Sequence, residues 1–181
     1  MKKENVVLYV VRLAVTLLVI AGVMAAALAC VNSVTAPAIE KLTYEKTQAA
    51  VSAVLPGGGD TVEFPATDLV SKVYQGENGY AVEVTPSGFD NTITMMVGVD
   101  NEGAVTGISI IDHSETAGLG AVAAATTAAG EAFRAQFKGL TGSVSVSKDG
   151  GQVDAITSAT ITSRAVCAGV NAALAVVANM G

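Results

Sequence analysis

The chain has 181 residues, half of them apolar and 14% charged, with a formal net charge of −6. That length holds one ordinary domain plus an appendage. The balance excludes a disordered chain and a chain that is membrane-embedded throughout.

The apolar excess is concentrated at the start. Residues 13–31, LAVTLLVIAGVMAAALACV, carry no charge. As a helix they span about 28 Å, close to the hydrocarbon thickness of a bilayer. Lys2, Lys3 and Arg12 precede the run against a single acid, Glu4, whereas NSVTAPAIEKL after it carries one acid and one base. The positive-inside rule then keeps the N-terminus cytoplasmic, with the C-terminal bulk extracytoplasmic in a single-pass inner-membrane topology. A cleaved signal peptide needs a shorter apolar core. Lipidation at Cys30 needs a leucine where AALA has alanine. Beyond Val31 there are seven basic and fifteen acidic residues, an excess of eight acids. Nucleic acid is therefore excluded as a partner, for want of a basic footprint. Cys30 and Cys167 read as packing residues, and one histidine cannot build a zinc site.

Pro37 marks the exit from the anchor. A polar stalk helix, IEKLTYEKTQAAVSAVL, follows and stops at PGGG, residues 56–59. The period then changes to two. LVSKVYQ, YAVEVTP, ITMMVGV and AVTGISII read as strands separated by GENG, SGFDN and DNEG, turns short enough for antiparallel neighbours. HSETAGLG has no clear period. An alanine-rich helical segment follows, with Phe133 and Phe137 one turn apart, and SVSVS at residues 143–147 reads as a further strand. An apolar helix without acids closes the chain from about Ser158 to Met180. The fold class is α+β: one transmembrane helix, then a domain with a mostly antiparallel sheet and flanking helices. The divisions are 1–31 for the cytoplasmic start and anchor, 32–59 for stalk and linker, and 60–181 for the domain.

Two stretches carry candidate chemistry. Thr157, Ser158, Thr160, Thr162 and Ser163 cluster where strand-like VDAI gives way to the last helix. Such hydroxyls are good N-caps, accepting from the first free amides. The same helix terminus also suits a phosphate, which the small side chains of Ser158 and Ala159 would let approach the backbone. Composition alone leaves both open. In HSETAGLG, His113, Glu115 and Thr116 precede Gly118, Leu119 and Gly120; loop hydrogen bonding competes there with proton transfer, and no third group completes a triad.

Together, GYAVEVTPSGFDNTITMMVGVDNEGAVTGISIIDHSETAGLG and DAITSATITS resemble the G subunit of the Rnf electron-transport complexes. The related C subunit of the sodium-translocating NADH:quinone reductase shares the architecture. In that family a flavin transferase attaches FMN by a phosphoester within an acidic-x-x-[ST]-[GS]-A-T-x-[ST] motif. The resemblance makes Asp154 the opening acid and Thr157, Ser158 and Ala159 the lead-in. Thr160 becomes the covalent acceptor and Thr162 the later hydroxyl. Ser158 stands where glycine is commoner, and Ala117 where HxETPGLG has proline. His113, Glu115, Thr116, Gly118 and Leu119 are then expected around the flavin.

The resemblance implies a membrane-anchored electron carrier in an ion-pumping complex. That complex couples ferredoxin oxidation and NAD reduction to Na⁺ or H⁺ translocation, with other membrane and iron–sulfur subunits as partners. The carrier itself does not bind NAD, since no GxGxxG follows a strand. A cofactor-free surface binding module and a stand-alone extracytoplasmic flavin reductase are the competing readings.

Overall fold

A computed structural model of the chain describes residues 3–64 and 67–180. The start of the basic flank, with Lys2, and Pro65, Ala66 and Gly181 lie outside the described residues. Two compact units are present, Met1–Glu45 and Lys46–Gly181.

The first unit is helical. Helix α1, Lys3–Val54, includes Pro37 in its interior and does not break there. Proline removes one backbone hydrogen bond and crowds the preceding turn. Around it Ser33 and Thr35 donate their hydroxyls back to the carbonyls of Cys30 and Val31, at 2.8 and 3.0 Å. Large apolar side chains from Val6 to Tyr44 are exposed along this helix. Cys30 is exposed as well. Such a surface suits lipid rather than water.

The second unit is built on a five-stranded antiparallel meander in the order β1-β2-β3-β4-β5. Its strands are β1 Asp60–Val62, β2 Val70–Gly76, β3 Gly79–Val84, β4 Thr94–Asp100 and β5 Val105–Asp112. The last four follow the expected alternating runs. β1 was not expected, because three residues are too few to show a period. Helix α2, Ala128–Ala135, is capped by Thr127, whose hydroxyl accepts from the Gly130 amide. Helix α3 is Thr160–Ala178.

Both faces of the sheet are covered. Val73, Val82, Val97 and Ile108 stand in register across β2–β5 and pack with Phe133, Phe137, Val166, Val170 and Val177 from the α2–α3 side. The Phe133 and Phe137 rings meet edge to face at 5.4 Å. Cys167 lies buried on this side, and burial pushes its thiol up to about 11, so it stays protonated and inert at neutral pH. On the other face Tyr74, Ala81 and Met96 pack against Ala50, Val51, Val54 and Leu55, the last turns of α1 and the residue after them. The Thr106 hydroxyl donates to the Val54 carbonyl at 2.6 Å, which fixes that helix end to β5.

SVSVS does not form a sheet strand. Only Val146 makes a bridge, an isolated parallel one to Val153, and the chain then coils into a 3₁₀ turn over Ser147–Asp149. The turn closes on Gly150, which adopts a left-handed conformation with φ 83°. The strand-like VDAI likewise contributes only Val153.

Gly98 decides how closely α1 can sit. A Cβ there would stand 2.5 Å from the Val54 carbonyl oxygen and 2.8 Å from the Val54 Cβ, and against the Thr106 hydroxyl. Overpacking of this kind costs about 1–3 kcal/mol. Gly98→Ala is therefore expected to lower stability by about 2 kcal/mol, measured by denaturant unfolding of the full chain in detergent. An unchanged midpoint would show that the α1 end is not seated on β4.

Candidate functional site

The N-terminus of α3 opens into a hollow of about 280 Å³, lined by Phe89, Glu115, Thr116, Leu119, Gly120 and residues 158–162. This is near the lower end of small-molecule sites, about 300–1,000 Å³. A hollow of this size would enclose only part of a larger ligand. A larger depression of about 900 Å³ lies at the far end of α3, around Asp100, Asn171 and Ala178. It contains none of the residues of the hydroxyl cluster or of HSETAGLG, so the smaller hollow is the candidate site.

The hydroxyl cluster does not cap the helix. The N-cap is Ala159, and no side chain accepts from the first turn. Ser158 precedes it with φ 63°, the one left-handed non-glycine among the described residues. The first intrahelical bond is from the Ser163 amide to the Ala159 carbonyl, at 3.0 Å. The amides of Thr160, Ile161 and Thr162 thus face out of the helix end without a side-chain acceptor. The expectation that these hydroxyls serve as caps is therefore corrected, and the reason is local. Thr162 is buried and donates its hydroxyl to Glu115 Oε2. Ser163 donates to the Ala159 carbonyl and accepts from the Ile156 amide, both at 3.0 Å. Thr157 and Ser158 are exposed.

Glu115 is the buried centre of the site. Its Oε1 accepts from the amides of Phe89 and Asp90 at 2.8 and 3.2 Å, while Oε2 takes the Thr162 hydroxyl. A buried carboxylate needs such donors, because desolvation without them costs several kcal/mol. His113 lies behind it. Its Nδ1 accepts from the Glu115 amide at 3.2 Å, and its ring is not among the lining groups. Gly120 lets the loop approach: a Cβ there would sit 2.5 Å from Thr162 Oγ1 and against Glu115 Oε2.

Thr160, at the first position of α3, is half-buried, and Lys148 Nζ donates to its Oγ1 at 3.2 Å. Lys148 lies on the 3₁₀ turn, whose next residue, Asp149, makes a two-pronged ion pair with Arg164, both contacts at 2.7 Å. Arg164 lies one turn beyond Thr160 on α3. Its hydrogen bond, more than its charge, holds the Asp149 carboxyl below its ordinary value of 3.8.

Of the residues marked from sequence, Ser158, Ala159, Thr160, Thr162, Glu115, Thr116 and Leu119 meet around the hollow. Asp154, Thr157, His113 and Gly118 lie outside its lining. The Asp154 backbone is held by Gln136, through bonds of 2.7 and 3.3 Å, and its side chain is exposed. Phe89, Ile161 and Lys148 were not singled out in sequence; Gly120, named there beside Gly118 in the HSETAGLG loop, also lines the hollow. Phe89, Ile161 and Leu119 are 66, 49 and 41% exposed, the exposed large apolar side chains among the described residues of the second unit. All three stand at this one hollow, which makes its rim an apolar surface beside a ring of amide donors.

The arrangement fits a phosphate-bearing aromatic cofactor. Uncapped amides at a helix N-terminus hold an anion, the small Ser158 and Ala159 admit it, and the apolar rim suits a planar ring. The left-handed Ser158 carries a backbone penalty of roughly 1–2 kcal/mol, against about 0.5–1 kcal/mol for the entropy of glycine. Ser158→Gly is expected to raise stability by about 0.5–1 kcal/mol, read as a higher thermal midpoint. A lower midpoint would show that the Ser158 side chain has a role that glycine cannot fill.

Comparison with known proteins agrees with this chemistry. Residues 88–175 match the family model described as an FMN-binding domain. That span opens on the loop bound by Glu115 and closes within α3. The chain is 33% identical, over 94% of its length, to the G subunit of the Na⁺-translocating ferredoxin:NAD⁺ oxidoreductase complex of Acetobacterium woodii, covering 93% of that protein. To the G subunit of the ion-translocating oxidoreductase complex of Methanosarcina acetivorans it is 32% identical, over 87% of this chain and 88% of the relative. The G subunit of a proton-translocating ferredoxin:NAD⁺ oxidoreductase complex of Clostridium ljungdahlii is 38% identical over 52% of the chain and 51% of its own length. The chain belongs to the family of G subunits of the ion-translocating oxidoreductase complexes.

Proposed function

We propose that this chain is the membrane-anchored electron-carrying subunit of a ferredoxin:NAD⁺ oxidoreductase complex that pumps Na⁺ or H⁺. FMN is joined through a phosphoester to Thr160 Oγ1. The observation that carries the reading is the placement of Thr160: a half-buried hydroxyl at the first position of a helix with no side-chain cap, opening into the apolar-rimmed hollow.

FMN, when bound, supplies the reversible uptake and release of electrons, and the protein supplies position and surroundings. Thr160 provides the ester oxygen, which removes the dissociation equilibrium. The amides of Ile161 and Thr162 and the positive end of α3 stabilise the phosphate charge. Phe89, Leu119 and Ile161 would supply the apolar contact for the ring. Glu115 holds the Phe89 loop and the α3 terminus in place through its two oxygens. Thr116 and Gly120 also line the hollow. Asp154, Thr157, His113 and Gly118 act from outside the lining, as motif and loop residues that a transferase recognises or that set the backbone.

In this reading residues 1–31 form the cytoplasmic start and anchor, 32–59 the stalk and linker, and 60–181 the FMN-binding domain. Lys2, Lys3 and Arg12 keep the N-terminus in the cytoplasm, and the domain stands on the extracytoplasmic side of the inner membrane. Its partners are the other membrane and iron–sulfur subunits of the complex, together with a flavin transferase for maturation. Covalent attachment suits that location, where a freely exchanging flavin would be lost by dilution.

After co-expression with a flavin transferase and full denaturation, the wild-type band is expected to keep flavin fluorescence. Thr160→Ser should retain most of it, and Thr160→Ala none. A dark wild-type band beside an active transferase would leave a surface binding module instead.

A further inference from the structure

Lys148 belongs to no motif, yet its ammonium group donates to Thr160 Oγ1 at 3.2 Å. Three features hold it there. The 3₁₀ turn Ser147–Asp149 is pinned at its base by the Val146–Val153 bridge. Its exit is the left-handed Gly150. Its neighbour Asp149 is clamped to Arg164 by two bonds of 2.7 Å, and Arg164 lies on the same face of α3 as Thr160, four residues on. A flexible lysine is thereby anchored to the helix that carries the hydroxyl. The second unit is otherwise rich in acids, so a cation directed at this atom is a specific feature.

The geometry points to Lys148 as a positioning residue for flavin attachment and as the counter-ion of the attached phosphate, with the Asp149–Arg164 pair holding its turn. This rests on the reading of Thr160 as the acceptor. Attachment forms the Oγ1–P bond and breaks the P–O bond of a flavin-carrying phosphoric anhydride. The leaving phosphate keeps the anhydride oxygen and its electron pair, and the hydroxyl proton passes to a base of the transferase. Negative charge develops on Oγ1 as its proton leaves, and passes through the phosphoryl group to the departing anhydride oxygen as the new bond forms. An ammonium group already in contact with Oγ1 stabilises that charge without reorganisation. Afterwards the diester retains one negative charge, which Lys148 neutralises together with the first-turn amides. Neither Lys148 nor the clamp takes up or gives a proton.

The test compares full-length wild type, Lys148→Gln, Lys148→Arg, Lys148→Glu and Thr160→Ala, in detergent with limiting flavin transferase. Covalent flavin is followed over time by in-gel fluorescence and intact mass. Lys148→Gln is expected to slow attachment about tenfold, the lower end for losing a charged hydrogen bond at an exposed position. Lys148→Arg should restore most of the rate and Lys148→Glu should be slowest, while thermal midpoints of the unattached proteins stay together. Rescue by Arg but not by Gln separates a charge role from a packing role. Attachment to Lys148→Glu at the wild-type rate, or no rescue by Arg, would overturn the assignment of Lys148 and leave Thr160 standing. Wild type without covalent flavin, or Thr160→Ala with it, would overturn the reading of the acceptor and the role of Lys148 with it.

Discussion

The buried carboxylate of Glu115 ties three separate segments of the chain into one site. One oxygen holds the amides of Phe89 and Asp90, and the other takes the Thr162 hydroxyl. A carboxylate this well buried would be strongly destabilising without donors, so the segments that supply them are constrained to meet. The consequence reaches the helix terminus. Thr162 is committed to Glu115, Ser163 to the backbone at Ile156 and Ala159, and Ala159 itself has no side-chain oxygen to offer. The first-turn amides therefore remain available to an outside anion. Among the described residues no buried side-chain nitrogen or oxygen lacks a partner, and the first-turn amides of α3 have no side-chain acceptor.

The rest of the second unit serves as a rigid mount. Valines of β2–β5 lock α3 to one face of the sheet, while small residues on the other face, Ala81 and Gly98, admit the end of α1. A cofactor ester at Thr160 would thus sit on a helix fixed to the sheet along its length, rather than on a loop. That is a suitable mount for an electron carrier, whose distance to its partners must be reproducible. The Asp149–Arg164 pair adds a local brace at the surface. Because the folded pKa of Asp149 is lowered, the brace is present above the ordinary carboxylate value of 3.8 and fades only as pH falls through the lower folded value. It is therefore intact at any physiological pH.

Much of the fold is written in local pattern. The runs around Val73, Val82, Val97 and Ile108 alternate with period two between short polar turns, and the anchor declares itself by length and lack of charge. The failures have equally local causes. SVSVS alternates like a strand, but KDGG follows at once and the chain turns at Gly150 before it can pair. Pro37 looks like a stop, yet α1 continues through it.

The site was legible only in part. Glu115, Thr160 and Thr162 stand in recognisable stretches. Which hydroxyl faces a carboxylate, which bonds to backbone and which is left for a ligand depends on tertiary placement. Phe89 reaches the site because Glu115, 26 residues later, binds its amide. Lys148 arrives through a turn braced to α3 by Arg164. No periodicity encodes either. Asp154 shows the reverse case, conspicuous in sequence but outside the lining, with its backbone bonded to Gln136. The most direct test of the central claim is to locate the flavin within the hydroxyl cluster. Trypsin would release residues 149–164, DGGQVDAITSATITSR, with Thr157, Ser158, Thr160, Thr162 and Ser163 in one peptide. Fragmentation mass spectrometry of that peptide, from full-length protein matured with a flavin transferase, assigns the modified side chain. FMN is expected on Thr160, the hydroxyl at the first position of α3. FMN on any of the other four hydroxyls, or an unmodified peptide from a strongly fluorescent protein, would contradict that placement.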